Sequence, residues 1–286
     1  MYIKAFKIRR KIVTVSIVML TVLISFISFA GSIKTDEREV LILMYHHILK
    51  DTSYHGKYVV SPSQFEEDLI FLKENGYETV LIKDLVDFVY NKKKLPQKCV
   101  VISFDDGHLS NFHYIFPLIK KTNDKIVISI VGEYSDTATK TEDRNVAYSY
   151  LKWEDIKDLN DSGLVEIANH TYNFHIQGKR VGIGSIKGET KEEYTKLITS
   201  DLIKLNKKIK DITGKEPVTF TYPFGKAVEN SYDVIKDVGF LASLSCEEGI
   251  NVIRENDKDC LYMLKRYNRP SGISTKDFFK KIMPDL

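Results

Sequence analysis

The stretch CVVISFDDG, residues 99–107, decides how the rest of the chain is read. Its first six residues form a continuous β-prone run, as expected of a strand buried on both faces. The run stops at two carboxylates and a glycine. An apolar strand that delivers polar groups at its C-terminal end is how parallel α/β folds present chemistry. Outward from this stretch the pattern repeats. Residues 40–45 (VLILMY) lead to His46-His47, residues 164–168 (LVEIA) lead to Asn169-His170, and residues 218–222 (VTFTY) lead to Pro223-Phe224-Gly225. Further strands are expected at residues 77–82, 125–131, 240–244 and 261–266.

Helical spacing fills the intervals. Ser61-Pro62-Ser63 opens a helix that Asn75-Gly76 stops, and residues 83–93, 109–121 and 153–162 continue the alternation. Residues 190–213 carry the longest helical pattern, closed by Gly214, and residues 231–238 and 275–282 complete the set. Roughly eight β/α units argue a parallel sheet covered by helices, curled into a deformed (β/α)7–8 barrel. Residues 132–150 and 176–190 read as long surface loops. Neither GxGxxG nor GxxxxGK[ST] occurs, so no phosphate-binding loop is encoded.

The chain has 286 residues, 42 Lys+Arg and 39 Asp+Glu, for a formal net charge of +3. That excess is local. Lys4, Lys7, Arg9, Arg10 and Lys11 precede an uncharged run at residues 12–30, and residues 31–286 carry −2. A slightly acidic body has no electrostatic footprint for nucleic acid. As a helix the uncharged run would span about 28 Å, close to the thickness of a hydrocarbon core. With cations on its N-terminal flank it reads as a signal peptide or membrane anchor that sends the body outside the cytoplasmic membrane. Residues 1–30 are thus an address, residues 31–39 a linker, and residues 40–286 the working domain. Three cysteines are too few for a disulfide scaffold. Cys246 and Cys260 could pair outside the cell, and Cys99 reads as a buried thiol.

The strand ends bring together two adjacent aspartates and several histidines. Two neighbouring carboxylates repel, and a divalent cation relieves that. One carboxylate plus two imidazoles leaves an open position, the pattern of a catalytic zinc site. His108 and His113 read as helix-surface histidines and Trp153 as a packing residue. Arg266 and Arg269 read as solvated charges or as contacts to a base or polymer, and Asn169 as a residue that orients the loop after it.

Ser103-Phe104-Asp105-Asp106-Gly107 resembles the [TS]FDDG signature of the polysaccharide deacetylases, the NodB-homology enzymes of carbohydrate esterase family 4. His170-Thr171-Tyr172-Asn173-Phe174-His175 resembles their second motif, with the two histidines spaced as in the poly-N-acetylglucosamine branch. Thr221-Tyr222-Pro223-Phe224-Gly225 resembles that branch's third motif, and Leu43-Met44-Tyr45-His46 its N-terminal Tyr-His segment. The resemblance spans about residues 40–270.

It implies a metal-dependent hydrolase that removes N-acetyl groups from a GlcNAc-containing polysaccharide at the cell surface. Asp106, His170 and His175 would hold the metal, zinc first, with cobalt, nickel or iron also suited to the donor set. Asp105 would be the general base. The Phe224 N–H would steady the oxyanion, and Pro223 with Tyr222 would line the sugar or acetyl pocket. Two departures matter. The family's third motif starts with an arginine that holds the base, where this chain has Thr221. No histidine follows His175 to act as the acid, so the branch's permuted order points to His46, with His47 as the alternative. The competing readings are an inactive carbohydrate-binding descendant of the fold and an amidase for a small non-sugar amide.

Overall fold

A computed structural model describes residues 36–283. The hydrophobic run at residues 12–30 lies outside them, and with it the signal-or-anchor expectation. Among the described residues no helix is long and apolar enough to cross a membrane.

Strand β1 (Glu37–Tyr45) starts earlier than the apolar run suggests. Two-residue strands β2 (His47–Ile48) and β3 (Val59–Val60) pair with each other apart from the main sheet. Helix α1 (Pro62–Glu74) follows, with Ser61 capping its N-terminus. The expected strand at residues 77–82 shrinks to β4 (Glu78–Thr79), because Leu81 is already the N-cap of helix α2 (Ile82–Asn91), its N–H donating to Asp84. Next come β5 (Cys99–Phe104), a π-helical turn (Asn111–Ile115), α3 (Phe116–Thr122) and β6 (Ile126–Ile130). Part of the expected loop at residues 132–150 is a helix, α4 (Gly132–Thr139). Helix α5 (Trp153–Asp161), β7 (Val165–Asn169), α6 (Lys191–Thr213), β8 (Thr219–Thr221), α7 (Glu229–Val238) and β9 (Ala242–Leu244) continue the alternation. The chain ends in β10 (Asn251–Arg254), β11 (Tyr267–Asn268) and α8 (Thr275–Ile282).

The sheet order is β10-β1-β5-β6-β7-β8-β9, parallel throughout except β10 against β1. Its open side is bridged by residues 264–268. Leu264 pairs with Leu244 of β9, and three residues later Tyr267 pairs with Leu43 of β1. This segment, not a regular strand over residues 261–266, closes the deformed barrel.

Side chains alternate across the sheet. Leu41, Leu43, Tyr45, Val100, Ile102, Phe104, Ile126, Ile128, Ile130, Val165 and Ile167 share a core with the helical layer, including Phe65 of α1 and Leu205 of α6. The opposite face carries Val40, Ile42, Val101, Val127 and Ala168 low in the barrel, packed on α2. Higher on that face come Ser103, Ser129 and Thr221, with the Ser129 and Thr221 hydroxyls 2.7 Å apart. These small residues leave room beneath the rim. The next inward residues are Asp105 and His170.

Candidate active site

After β5 the backbone turns sharply, with φ of 71° at Asp106 and 73° at Gly107. The glycine is required here twice over. Its φ lies in the left-handed region, and a Cβ would sit 3.1 Å from Ile130 Cγ2. The turn leaves Asp105 pointing into the barrel and Asp106 at its mouth.

Asp105 is buried and gripped by Arg266, with Nη1 to Oδ1 at 2.7 Å and Nη2 to Oδ2 at 2.9 Å. The guanidinium is itself fully buried and also donates to Ser103 Oγ and the Ser245 carbonyl. Burial alone would raise the Asp105 pKa, but the Arg266 charge and hydrogen bonds, with His170 and His46, outweigh it and hold the carboxyl below its usual range. Arg266 sits in the segment that closes the barrel, so it is neither a solvated charge nor part of the third motif. It fills from the far end of the chain the place that Thr221 cannot.

Asp106, His170 and His175 place one ligand atom each within 4.8 Å of one another. His175 Nε2 is 3.1 Å and His170 Nε2 3.5 Å from Asp106 Oδ1. That buried oxygen nevertheless takes no hydrogen bond. His170 Nδ1 is 2.8 Å from the Thr221 carbonyl, so it carries the proton and the Nε2 lone pair faces Asp106. Lone pairs converging on one point fit a divalent cation, and a carboxylate with two imidazoles is a donor set that zinc accepts. Asp106 is held well below the usual carboxylate range. Burial opposes the shift, but the neighbouring imidazoles of His108, His170 and His175 prevail.

The histidine loop is pinned from beneath. Thr171 has φ 72° and its N–H donates to Asn169 Oδ1 at 2.8 Å, which is the orienting part expected of Asn169. Asp201 of α6 accepts from the N–H groups of Tyr172 and Asn173 at 2.7 and 2.9 Å. The sequence carries no local sign of Asp201's part, because it lies on a helix 29 and 28 positions downstream of the two residues it binds.

His46 follows β1, half-buried, with its Nδ1 lacking a hydrogen-bond partner and its ring 4.7 Å from Tyr58. Burial lowers its pKa, against the pull of Asp105 and Asp106. His47 turns elsewhere. Its Nε2 meets the Val146 carbonyl at 2.9 Å and its ring stacks on His108 at 4.2 Å, and its pKa falls to about 4, burial being the chief cause. His108, read as a helix-surface residue, lies instead with its Nε2 3.6 Å from Asp106 Oδ2. His113 is exposed, as expected.

The third motif forms a 3-10 turn, Pro223–Gly225, with Phe224 at φ 56° and its ring 4.5 Å from that of His175. Tyr222 is a correction. Alternation turns its side chain outward, where it packs with Phe220, Tyr194 and Val234 and its hydroxyl meets Ser231. It lines no pocket at the barrel mouth. Arg269 is another. It is fully buried and bonded to Asp68, which also accepts from Tyr45 and Thr275 hydroxyls. Trp153 packs as expected, its Nε1 donating to Asp136. Cys99 is buried, and Cys246 and Cys260 are free thiols rather than a pair.

A poly-beta-1,6-N-acetyl-D-glucosamine N-deacetylase of Escherichia coli is 27% identical over 300 residues, covering 94% of this chain and 44% of that protein. The chain therefore spans less than half of that relative. A Staphylococcus aureus protein of the same name is 27% identical over 243 residues, covering 79% of this chain and 78% of its own. Among solved structures, a de-N-acetylase from Aggregatibacter actinomycetemcomitans superposes with a TM-score of 0.71 at 25% identity, over 85% of this chain and 100% of that one. The polysaccharide deacetylase family profile matches residues 92–243, from before the Asp-Asp strand to β9 and so more than half of the sequence, and the chain belongs to that family.

Proposed function

We propose that residues 40–286 are a zinc-dependent N-deacetylase acting on poly-N-acetylglucosamine outside the cytoplasmic membrane, with residues 1–30 as its signal or anchor. The observation that carries the reading is Asp105, buried and kept ionised by Arg266, beside the convergent donors of Asp106, His170 and His175.

A bound divalent cation supplies Lewis-acid polarisation of the acetamide carbonyl. Asp105 takes a proton from the attacking water. Arg266 occupies one lone pair on each Asp105 oxygen, and each keeps a second for the proton. The Phe224 N–H, presented by the turn at Pro223, steadies the oxyanion as the carbonyl becomes tetrahedral. Breakage of the C–N bond then needs a proton on the leaving nitrogen. His46 supplies it, and the burial that weakens it as a base makes its imidazolium a readier donor. Acetate and a free amine leave.

The test is acetate release from poly-N-acetylglucosamine and from peptidoglycan, side by side, with zinc and with a chelator. Zinc-dependent release from the first, lost in Asp105→Asn while zinc stays bound, is expected. Full activity of that variant would remove Asp105 from the mechanism. Release from neither polymer by zinc-loaded protein would sink the deacetylase reading.

A further inference from the structure

If both histidines donate through Nε2, each must carry its proton on Nδ1, and each Nδ1–H needs an acceptor. For His170 the acceptor is the backbone carbonyl of Thr221. For His175 the atom facing Nδ1 is the phenol oxygen of Tyr134, at 3.2 Å. The same hydroxyl lies 3.4 Å from the His175 carbonyl and donates to it. Tyr134 therefore holds His175 by ring and by backbone at once.

Tyr134 is itself held. It lies in the first turn of α4, whose N-terminus hangs on the histidine loop through Gly132 N to Thr171 O and Glu133 N to Tyr172 O, at 3.1 and 2.9 Å. Gly132 allows this approach, since a Cβ there would sit 2.5 Å from the Tyr172 ring. The Tyr134 ring packs on Tyr150 with centroids 4.3 Å apart, Tyr150 stacks on His108, and His108 faces the second oxygen of Asp106. One aromatic stack thus backs two of the three donors.

We infer that Tyr134 is a positioning residue for the metal site, fixing the tautomer and the orientation of His175. The inference rests on the zinc-enzyme reading and assigns Tyr134 a part that none of the sequence motifs carries. Among the three donors the hydroxyl meets His175 alone.

The experiment measures zinc affinity of the full-length chain by competition with a chromophoric chelator, in the parent and in Tyr134→Phe. Removal of the acceptor should weaken zinc binding by roughly 10–100-fold. It should also alter the visible absorption of the cobalt-substituted protein, and leave the melting temperature of the metal-free protein within a few degrees. Tyr148→Phe, an exposed tyrosine of the same segment that touches no donor, should match the parent. Equal zinc affinity and an unchanged cobalt spectrum in Tyr134→Phe would overturn the inference and leave the zinc reading standing. A parent chain that binds no zinc would overturn both.

Discussion

Replacing Arg266 by methionine strands the Asp105 carboxylate in a site where both partners are buried, at 2% and 0% exposure. The loss comprises two charge-assisted hydrogen bonds at 2.7 and 2.9 Å and the screening of a buried charge. Breaking such a pair from one side costs about 3–5 kcal/mol. In a domain of this size each kcal/mol moves the melting temperature by about 2–4 °C, so a drop of roughly 6–20 °C is expected. In an Asp105→Asn background the charge is already gone. Arg266→Met then removes little more than its bonds to Ser103 and Ser245, about 1–2 kcal/mol, so the double-mutant cycle should show a coupling of about 2–3 kcal/mol. Because the folded-state pKa of Asp105 is lowered, its stabilising contribution is present above the unfolded value of about 4 and is lost only as pH falls through the lowered one. In the intact pair that contribution should accordingly be flat between about pH 6 and pH 8. Urea denaturation of metal-free protein at those two pH values gives all four corners of the cycle. Acetate release by the Arg266→Met protein should fall at least about 100-fold, as expected when a general base is disabled. Costs that add within about 0.5 kcal/mol would refute the claim that Arg266 is there to hold Asp105 ionised.

Asp201 gives the opposite pH sign. Burial, opposed by the N–H groups of Tyr172 and Asn173, pushes its pKa up to about 6. Between the unfolded value near 4 and that value the folded state holds a proton that the unfolded state has shed, so this contribution weakens as pH rises through that window and is flat above it, at about 1.4 kcal/mol per pH unit or less. Asp201→Asn should flatten the difference in urea midpoint between about pH 4.5 and pH 7, and an unchanged difference would count against it. His46→Ala should lower turnover far more than zinc content, and a parallel loss of zinc would make it a fold or donor residue instead. Gly225→Ala places a Cβ 2.7 Å from Cys246 Cβ at φ 64° and should cost about 1–3 kcal/mol. A Cys246→Gly background should recover part of that cost, and no recovery would mean the strain lies in the backbone alone.

The elements that sequence reading placed best are those whose burial is set by local periodicity. Residues 99–104 form the expected strand, and Gly214 closes α6 as expected with a left-handed cap, while Thr190 stands just outside the helix as its N-cap in a capping box. The reading failed where a short apolar run could be taken up by a neighbour. Of residues 77–82 only Glu78 and Thr79 form a strand, Leu81 and Ile82 going to the cap and first turn of α2, and α4 was missed because residues 132–139 mix Gly, Ser and Thr with few apolar positions.

For the site, alternation along a strand and a turn at its end were enough to place Asp105, Asp106, His170 and His175 on one rim, since each of those relations spans only a few residues. Which groups support them was decided by tertiary structure. Arg266 reaches Asp105 across 161 positions of sequence, because the segment that closes the barrel returns beside β1. Tyr134 reaches His175 across 41 and Asp201 reaches Tyr172 across 29, each from an adjacent β/α unit. Periodicity reports which face a residue occupies, but not what the closing of the sheet will place opposite it. The groups of the proposed site were therefore legible in the sequence, and the groups that charge, orient and hold them were set by how the barrel closes.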